Sequence, residues 1–183
     1  MKIEKLPMCG AAVIEAEPFM DHRGVFARFF CEKELSEIIG NRHFVNVNFS
    51  RTLKKGAIRG LHFQYPPKAE MKLVRCIRGS VYDVIVDIRK DSPTFLKWFS
   101  IELSADNMKM LCVPEGFAHG FQVLEESSEM LYLHSEFYSK EHEGALNYSD
   151  PLLAITWPVE SADVSERDKN HKMIYDDFRG VIL

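Results

Sequence analysis

Cysteine is sparse and unpatterned in this chain. Cys9, Cys31, Cys76 and Cys112 are scattered, with no C-x-x-C pair among them. That excludes the usual thiolate zinc sites and a secreted disulfide framework, and it predicts buried free thiols. A run of about 18 apolar residues, the length a helical membrane span needs, is missing too. Residues 1–10 carry Lys2 and Lys5 but no apolar stretch ahead of Gly10, Ala11 and Ala12, so no secretory signal is read and the cytoplasm is the expected compartment. Positive charge is short as well. A net charge of -4 leaves no basic surface of the kind duplex DNA or anionic lipid selects, so neither nucleic acid nor membrane is expected as a partner. A small anionic ligand needs only two or three cations, and Arg23, Arg59 and Arg167 are available for one. There is no internal repeat, low-complexity tract or Pro/Gly/Ser-rich linker, which predicts a single domain over 1–183.

What is present is ordinary globular material. With 46% hydrophobic and 27% charged residues, 183 residues can bury roughly 70% of their unfolded surface without a staple. Between residues 44 and 138, short runs rich in Val, Ile and Phe alternate with turn residues, the pattern of an all-β sandwich or barrel. Tyr82, Val84, Val86 and Ile88 share one strand face; Val81, Asp83, Ile85 and Asp87 share the other. Lys90-Asp91-Ser92-Pro93 breaks that strand, and Trp98 to Leu103 resumes an extended pattern. One helix is predicted, Glu32 to Ile39, with Leu35, Ile38 and Ile39 on one side and Gly40 to end it. After Trp157-Pro158 the composition turns polar, so the core is expected over about 19–158 and residues 159–183 as a surface tail with a little helix.

The chemistry concentrates in Arg59-Gly60-Leu61-His62-Phe63-Gln64, with Lys72 ten residues after the histidine and Pro114-Glu115-Gly116-Phe117-Ala118-His119-Gly120-Phe121 much later. On an extended strand His62 and Gln64 point one way and Leu61 and Phe63 the other. A histidine titrates near neutrality and a lysine carries a compact charge, so the pair can remove a proton beside a carbonyl and stabilise the enolate oxygen that results.

These segments, together with Lys72-Leu73-Val74-Arg75, the run from Val86 to Phe95 and Leu103-Ser104-Ala105-Asp106-Asn107, resemble the dTDP-4-dehydrorhamnose 3,5-epimerase family from about Phe19 to Asp168. The resemblance implies a cupin-type jelly-roll barrel with a few short peripheral helices, a homodimer, and cofactor-independent epimerisation at C3 and/or C5 of a nucleotide diphosphate-linked 4-keto-6-deoxy sugar, on the way to a surface glycan such as lipopolysaccharide. It implies His62 as base, Asp168 as its orienting carboxylate, Lys72 at the carbonyl oxygen and Tyr132 as the acid on the opposite face. Arg23, Asn48, Arg59, His119, Glu143 and Arg167 match substrate and diphosphate contacts, and Phe26 and Tyr138 match aromatics that sandwich a flat base. A metal cupin would place a second histidine two after the first, where Gln64 stands, and Lys72 would oppose a cation, so no metal is expected.

Recognition departs from the family pattern. Arg28 stands where a glutamate is usual, and Asn46-Val47-Asn48 where Gln-Asp-Asn is usual. A guanidinium can only donate, so a base richer in acceptors than thymine, or an unusual sugar, is expected on this ground. A single-site epimerase, a 3,4-ketoisomerase, a metal-dependent cupin oxygenase and a sugar-nucleotide-binding cupin without turnover are the alternatives.

Overall fold

Alternating apolar residues build two six-stranded β-layers that face each other. The computed structural model describes residues 1–174 and 178–183. The strands are β1 (Lys2–Lys5), β2 (Ala12–Glu15), β3 (Phe19–Asp21), β4 (Gly24–Phe26), β5 (Asn46–Thr52), β6 (Ala57–Gln64), β7 (Lys72–Arg78), β8 (Ser80–Asp87), β9 (Trp98–Ser104), β10 (Lys109–Val113), β11 (Phe117–Val123), β12 (Ser128–His134), β13 (Glu143–Ala145) and β14 (Asp163–Val164). One sheet runs β1-β2-β10-β7-β12-β5 and the other β13-β6-β11-β8-β9, with β14 added parallel to β6 and β3-β4 forming a separate hairpin. This is the expected all-β sandwich of the cupin type.

Both faces of β8 are buried, each against a different partner. Val81 and Ile85 join Val74, Leu111, Phe117, Phe121 and Met130 in the core between the sheets. Val84, Val86 and Ile88 pack behind the second sheet with Leu61, Phe63, Leu146 and Leu153. Period two therefore predicts the faces, and two apolar layers rather than one are what burial demands of them. Asp87 is fully buried at the end of β8, where it accepts hydrogen bonds from Arg89 Nη2 (2.7 Å), Ser92 Oγ (2.6 Å) and Thr94 Oγ1 (2.6 Å). That network fixes the turn which the Lys90–Pro93 cluster announces.

Helix α1 (Glu32–Ile39) falls where predicted, and Gly40 caps it at φ 58° with its N–H donating to Ser36 O at 3.0 Å. Leu35 and Ile39 are buried against Ile14, Leu73 and Met110 behind the first sheet. Each such burial contributes about 1.5–3 kcal/mol. The segment after residue 158 corrects the expectation of a surface tail. Ile174 and Val181 are buried in the cluster behind the second sheet, β14 pairs with β6, and the short helix α2 (Glu166–Lys169) sets Asp168 against the same strand. Apolar runs of two or three residues in an otherwise polar segment close this side of the barrel, too short to read by periodicity.

Candidate active site

Two glycines bring the histidines together. Strands β6 and β11 are antiparallel with His62 opposite His119. A Cβ on Gly60 would fall 2.6 Å from Gly120 Cα, and one on Gly120 would fall 2.6 Å from Arg59 O. Only glycine permits that approach, and Gly60 also holds φ at 112°. Both side chains enter a cavity of about 330 Å³ between the sheets, which Lys72, Tyr132, Arg59, Asn48, Tyr138, Glu143 and Asp168 also line.

His62 Nε2 lies 2.9 Å from Asp168 Oδ1. An ionised carboxylate can only accept, so Nε2 carries the proton and Nδ1 keeps the lone pair. Burial opposes ionisation of Asp168, but the hydrogen bond and charge of His62, with the Gly60 N–H at 3.2 Å, outweigh it and bring the carboxyl down to about 2. Ser165 caps α2 by accepting from the Asp168 N–H at 3.0 Å, which fixes the carboxylate's backbone.

The opposite wall comes from the other sheet. Tyr132 stands on β12 beside Val74 of β7, and His134 faces Lys72 in the same register. Burial pushes the Tyr132 phenol well above its ordinary value, partly offset by the 2.8 Å hydrogen bond with Ser50 Oγ. Lys72 Nζ donates to Glu70 Oε1 at 3.1 Å and, at 3.4 Å, to the His62 carbonyl, which leaves an N–H for the cavity. Glu70 is nearly buried; burial raises its carboxyl, while His134 Nδ1 at 2.8 Å and the Lys72 charge lower it further, so it stays ionised. The His119 ring meets Tyr132 at 6.3 Å between centroids, and His119 Nε2 is held by Asp83 at 2.9 and 3.0 Å.

Gln64 is committed to the loops. Its Nε2 donates to Lys68 O (3.0 Å) and Phe137 O (3.3 Å), and its Oε1 accepts from the Ser139 N–H at 2.6 Å. Arg59 Nε donates to Thr52 Oγ1 at 2.8 Å. Tyr138 Oη donates to Glu143 Oε2 at 3.2 Å, and Arg167 ion-pairs with Glu143 behind it. Five predicted contacts lie outside the lining of this cavity, Arg167 among them. Asn46 Nδ2 donates to Glu136 O at 3.2 Å. Arg23 pairs with Asp21 at 2.6 Å, Phe26 is 74% exposed, and both lie on the β3-β4 hairpin around a separate concavity. Arg28 is tied to Glu34 at 2.6 Å.

Sequence reasoning assigned no role in the site to Asp83, Ser50, His134 or His171. Asp83 and His134 carried a signal: a charged residue on the face shared by Val81 and Ile85, and a histidine two residues after Tyr132 on the same strand face. The Ser50–Tyr132 pair joins strands distant in sequence and had no signal, whereas His171 follows Asp168 by three residues, a spacing that places two such side chains within reach on a helical turn.

The model of the family described as dTDP-4-dehydrorhamnose 3,5-epimerase matches residues 5–176. A Shigella flexneri dTDP-4-dehydrorhamnose 3,5-epimerase is 44% identical over 177 residues, covering 96% of this chain and 97% of the relative. The crystal structure of the Bacillus anthracis enzyme with TDP and PPi bound superposes with a TM-score of 0.91 at 42% identity, covering 94% of this chain and 99% of that one. The Legionella pneumophila 3,5-epimerase in complex with dTDP-4-keto-L-rhamnose gives 0.91 at 37% identity, covering 100% and 98%. Fold and relatives together define an isomerase of the cupin type, a sugar-nucleotide epimerase. The chain belongs to the dTDP-4-dehydrorhamnose 3,5-epimerase family.

Proposed function

We propose that the protein inverts C3 and C5 of a dTDP-linked 4-keto-6-deoxy sugar, and that His62, Lys72, Tyr132 and Asp168 carry the chemistry. Both carbons flank the C4 ketone, so their hydrogens are acidic. His62 Nδ1 takes one, and the imidazolium is held by Asp168. The enolate oxygen is met by the free N–H of Lys72 in a site poor in water. Tyr132 returns a proton from the other side, and solvent resets both groups. The observation that carries this reading is that base and phenol line one cavity from opposite sheets. A planar enolate between them is deprotonated on one face and reprotonated on the other, which is inversion.

Thymidine diphosphate is favoured over other nucleotides because two matched relatives carry TDP or a dTDP-sugar and because Arg28 is already paired with Glu34. Arg59, His119, Tyr138, Glu143 and Asn48 line the cavity as substrate contacts. Arg23, Phe26, Arg28, Asn46 and Arg167 stay in the proposal as outer contacts. A homodimer is supported by apolar surface that one chain leaves open: Phe19, Met20 and Val25 on the hairpin, and Val47 and Phe49 on the edge strand β5. Free thiols at all four cysteines suit a reducing cytoplasm, although burial holds only for Cys76 and Cys112, Cys9 being exposed and Cys31 half-buried. No helix among the described residues is long and apolar enough to cross a membrane.

Incubation with dTDP-4-keto-6-deoxyglucose in heavy water, followed by NMR, tests the reading. Deuterium entering C3 and C5 is the expected result; a folded protein that exchanges neither position overturns it. Calorimetric titration should show dTDP bound at least tenfold tighter than CDP or GDP, about 1.4 kcal/mol. Equal or tighter binding of either would restore the base preference that Arg28 suggests.

A further inference from the structure

The carboxylate that orients His62 has a second imidazole on it. Asp168 Oδ1 lies 2.9 Å from His62 Nε2 and 3.3 Å from His171 Nε2. The two rings meet edge to face with centroids 5.9 Å apart. His171 Nε2 is buried and makes no hydrogen bond, so a polar atom that ought to be satisfied is aimed at an ionised carboxylate without a linear bond to it. The three ligand-type atoms all lie within 4.8 Å of one another. Donors on one zinc-sized ion, at about 2.0–2.1 Å each, stand roughly 3–3.4 Å apart, which is the spacing Asp168 already keeps to both rings. Two imidazoles and one carboxylate on a single side of an ion leave its other positions open. The far oxygen of Asp168 is fixed by the Gly60 N–H, as an outer-shell partner fixes a metal ligand.

We propose that His62, Asp168 and His171 form a binding site for a divalent transition-metal ion of the zinc type, and that the ion inhibits the enzyme. The inhibition rests on His62 being the base. In the free enzyme its Nε2 holds the proton and Nδ1 the lone pair. An ion bound at Nε2 displaces that proton, and the neutral ring takes it up at Nδ1, so no proton is lost and no electron moves. The lone pair that faced the sugar is gone. Asp168, now a ligand, can no longer hold an imidazolium. His171 is outside the cavity lining, so its part is to hold the ion rather than the substrate.

Metal-free protein would be titrated with Co²⁺ by visible absorption and with Zn²⁺ by calorimetry, alongside His171→Phe and His171→Ala. The expected result is one ion per chain, with affinity at least tenfold weaker in both variants. Saturating zinc should stop solvent exchange by the unmodified enzyme and EDTA should restore it. In each variant the zinc concentration that halves its own metal-free rate should rise at least tenfold. Absence of a cobalt d–d band, or binding unchanged in both variants, overturns the site. Cobalt held through His171 with exchange undiminished upholds the site and overturns His62 as the base. Lack of exchange in the metal-free enzyme overturns the epimerase reading, and the cobalt spectra still decide the site.

Discussion

The two histidine–carboxylate pairs, His62–Asp168 and His119–Asp83, are chemically alike, sit opposite each other on neighbouring strands, and differ in what surrounds them. Asp168 comes from a short helix at the rim, accepts a backbone N–H besides the imidazole, and ionises down to about 2. Asp83 is fully buried in the middle of β8, and burial pushes its carboxyl up despite the charge and hydrogen bond of His119. His62 is about one-third exposed at its side chain and opens on the cavity, whereas the His119 side chain is 6% exposed. The proposed base has to exchange protons with substrate and solvent, and the first pair is the more open to both. The second is built to hold an imidazole in place.

The largest expected effect falls on the first pair. His62→Ala should abolish deuterium entry at C3 and C5, a loss of about 10²–10⁴-fold for a general base. Asp168→Asn should cost about 10²-fold in kcat, because an amide can present its NH2 to Nε2 and turn the proton-bearing nitrogen towards the cavity. If His62→Ala exchanged at the unmodified rate while folded, the two pairs would have to trade roles. Tyr132→Phe is expected to do less to exchange than to inversion: base and oxyanion partner remain, so exchange at C3 persists while completed inversion, above all at C5, drops about 10²-fold. NMR of the recovered sugar separates the two.

Much of this site was legible because it rests on local signals. His62, Gln64, Leu61 and Phe63 take the faces that strand alternation dictates, and Gly40 ends a helix whose apolar side is Leu35 and Ile39. Asp168 beside His62 was legible only through family resemblance, since the contact spans 106 residues and no periodicity encodes it. Asp83 was read as a strand-face residue. A carboxylate between Val81 and Ile85 has to find a partner when buried, and the partner, His119, is on another strand. The segment beyond residue 158 misled because Met173-Ile174 and Val181-Ile182-Leu183 are short apolar runs without strand or helix periodicity, and an apolar residue needs only a groove, not a pattern, to be buried. Arg23, Phe26 and Arg28 were grouped with the site by motif, yet the β3-β4 hairpin carries the first two away from the cavity of the same chain and Glu34 holds the third.

The second pair should respond more weakly. Asp83→Asn keeps an acceptor for His119, and Asp83 does not line the cavity. The expected change is at most about tenfold in kcat/KM, carried mainly by KM, because His119, in its proposed role of substrate contact, would bind ground and transition states alike. A kcat loss equal to that of Asp168→Asn would erase the distinction between the pairs and make both of them proton-transfer groups.

The smallest effect is on stability, and its sign differs between the pairs. Asp168 is lowered on folding, so its contribution is present above the ordinary carboxylate value near 3.8 and is lost as pH falls towards about 2. Asp83 is raised on folding, so its contribution is present at low pH and is lost as pH rises through its folded value. On acidification the first term therefore weakens the fold while the second strengthens it. Thermal unfolding between pH 3 and pH 7 should show a flatter acid limb for Asp168→Asn than for the unmodified protein, and a steeper one for Asp83→Asn. The Asp168 difference should be on the order of 1 kcal/mol, a few degrees in Tm for a chain of this size, and the Asp83 difference is read by its opposite sign. Parallel acid limbs in the two variants would mean that burial and backbone contacts do not separate the carboxylates, and the contrast between a working and a supporting pair would then rest on kinetics alone.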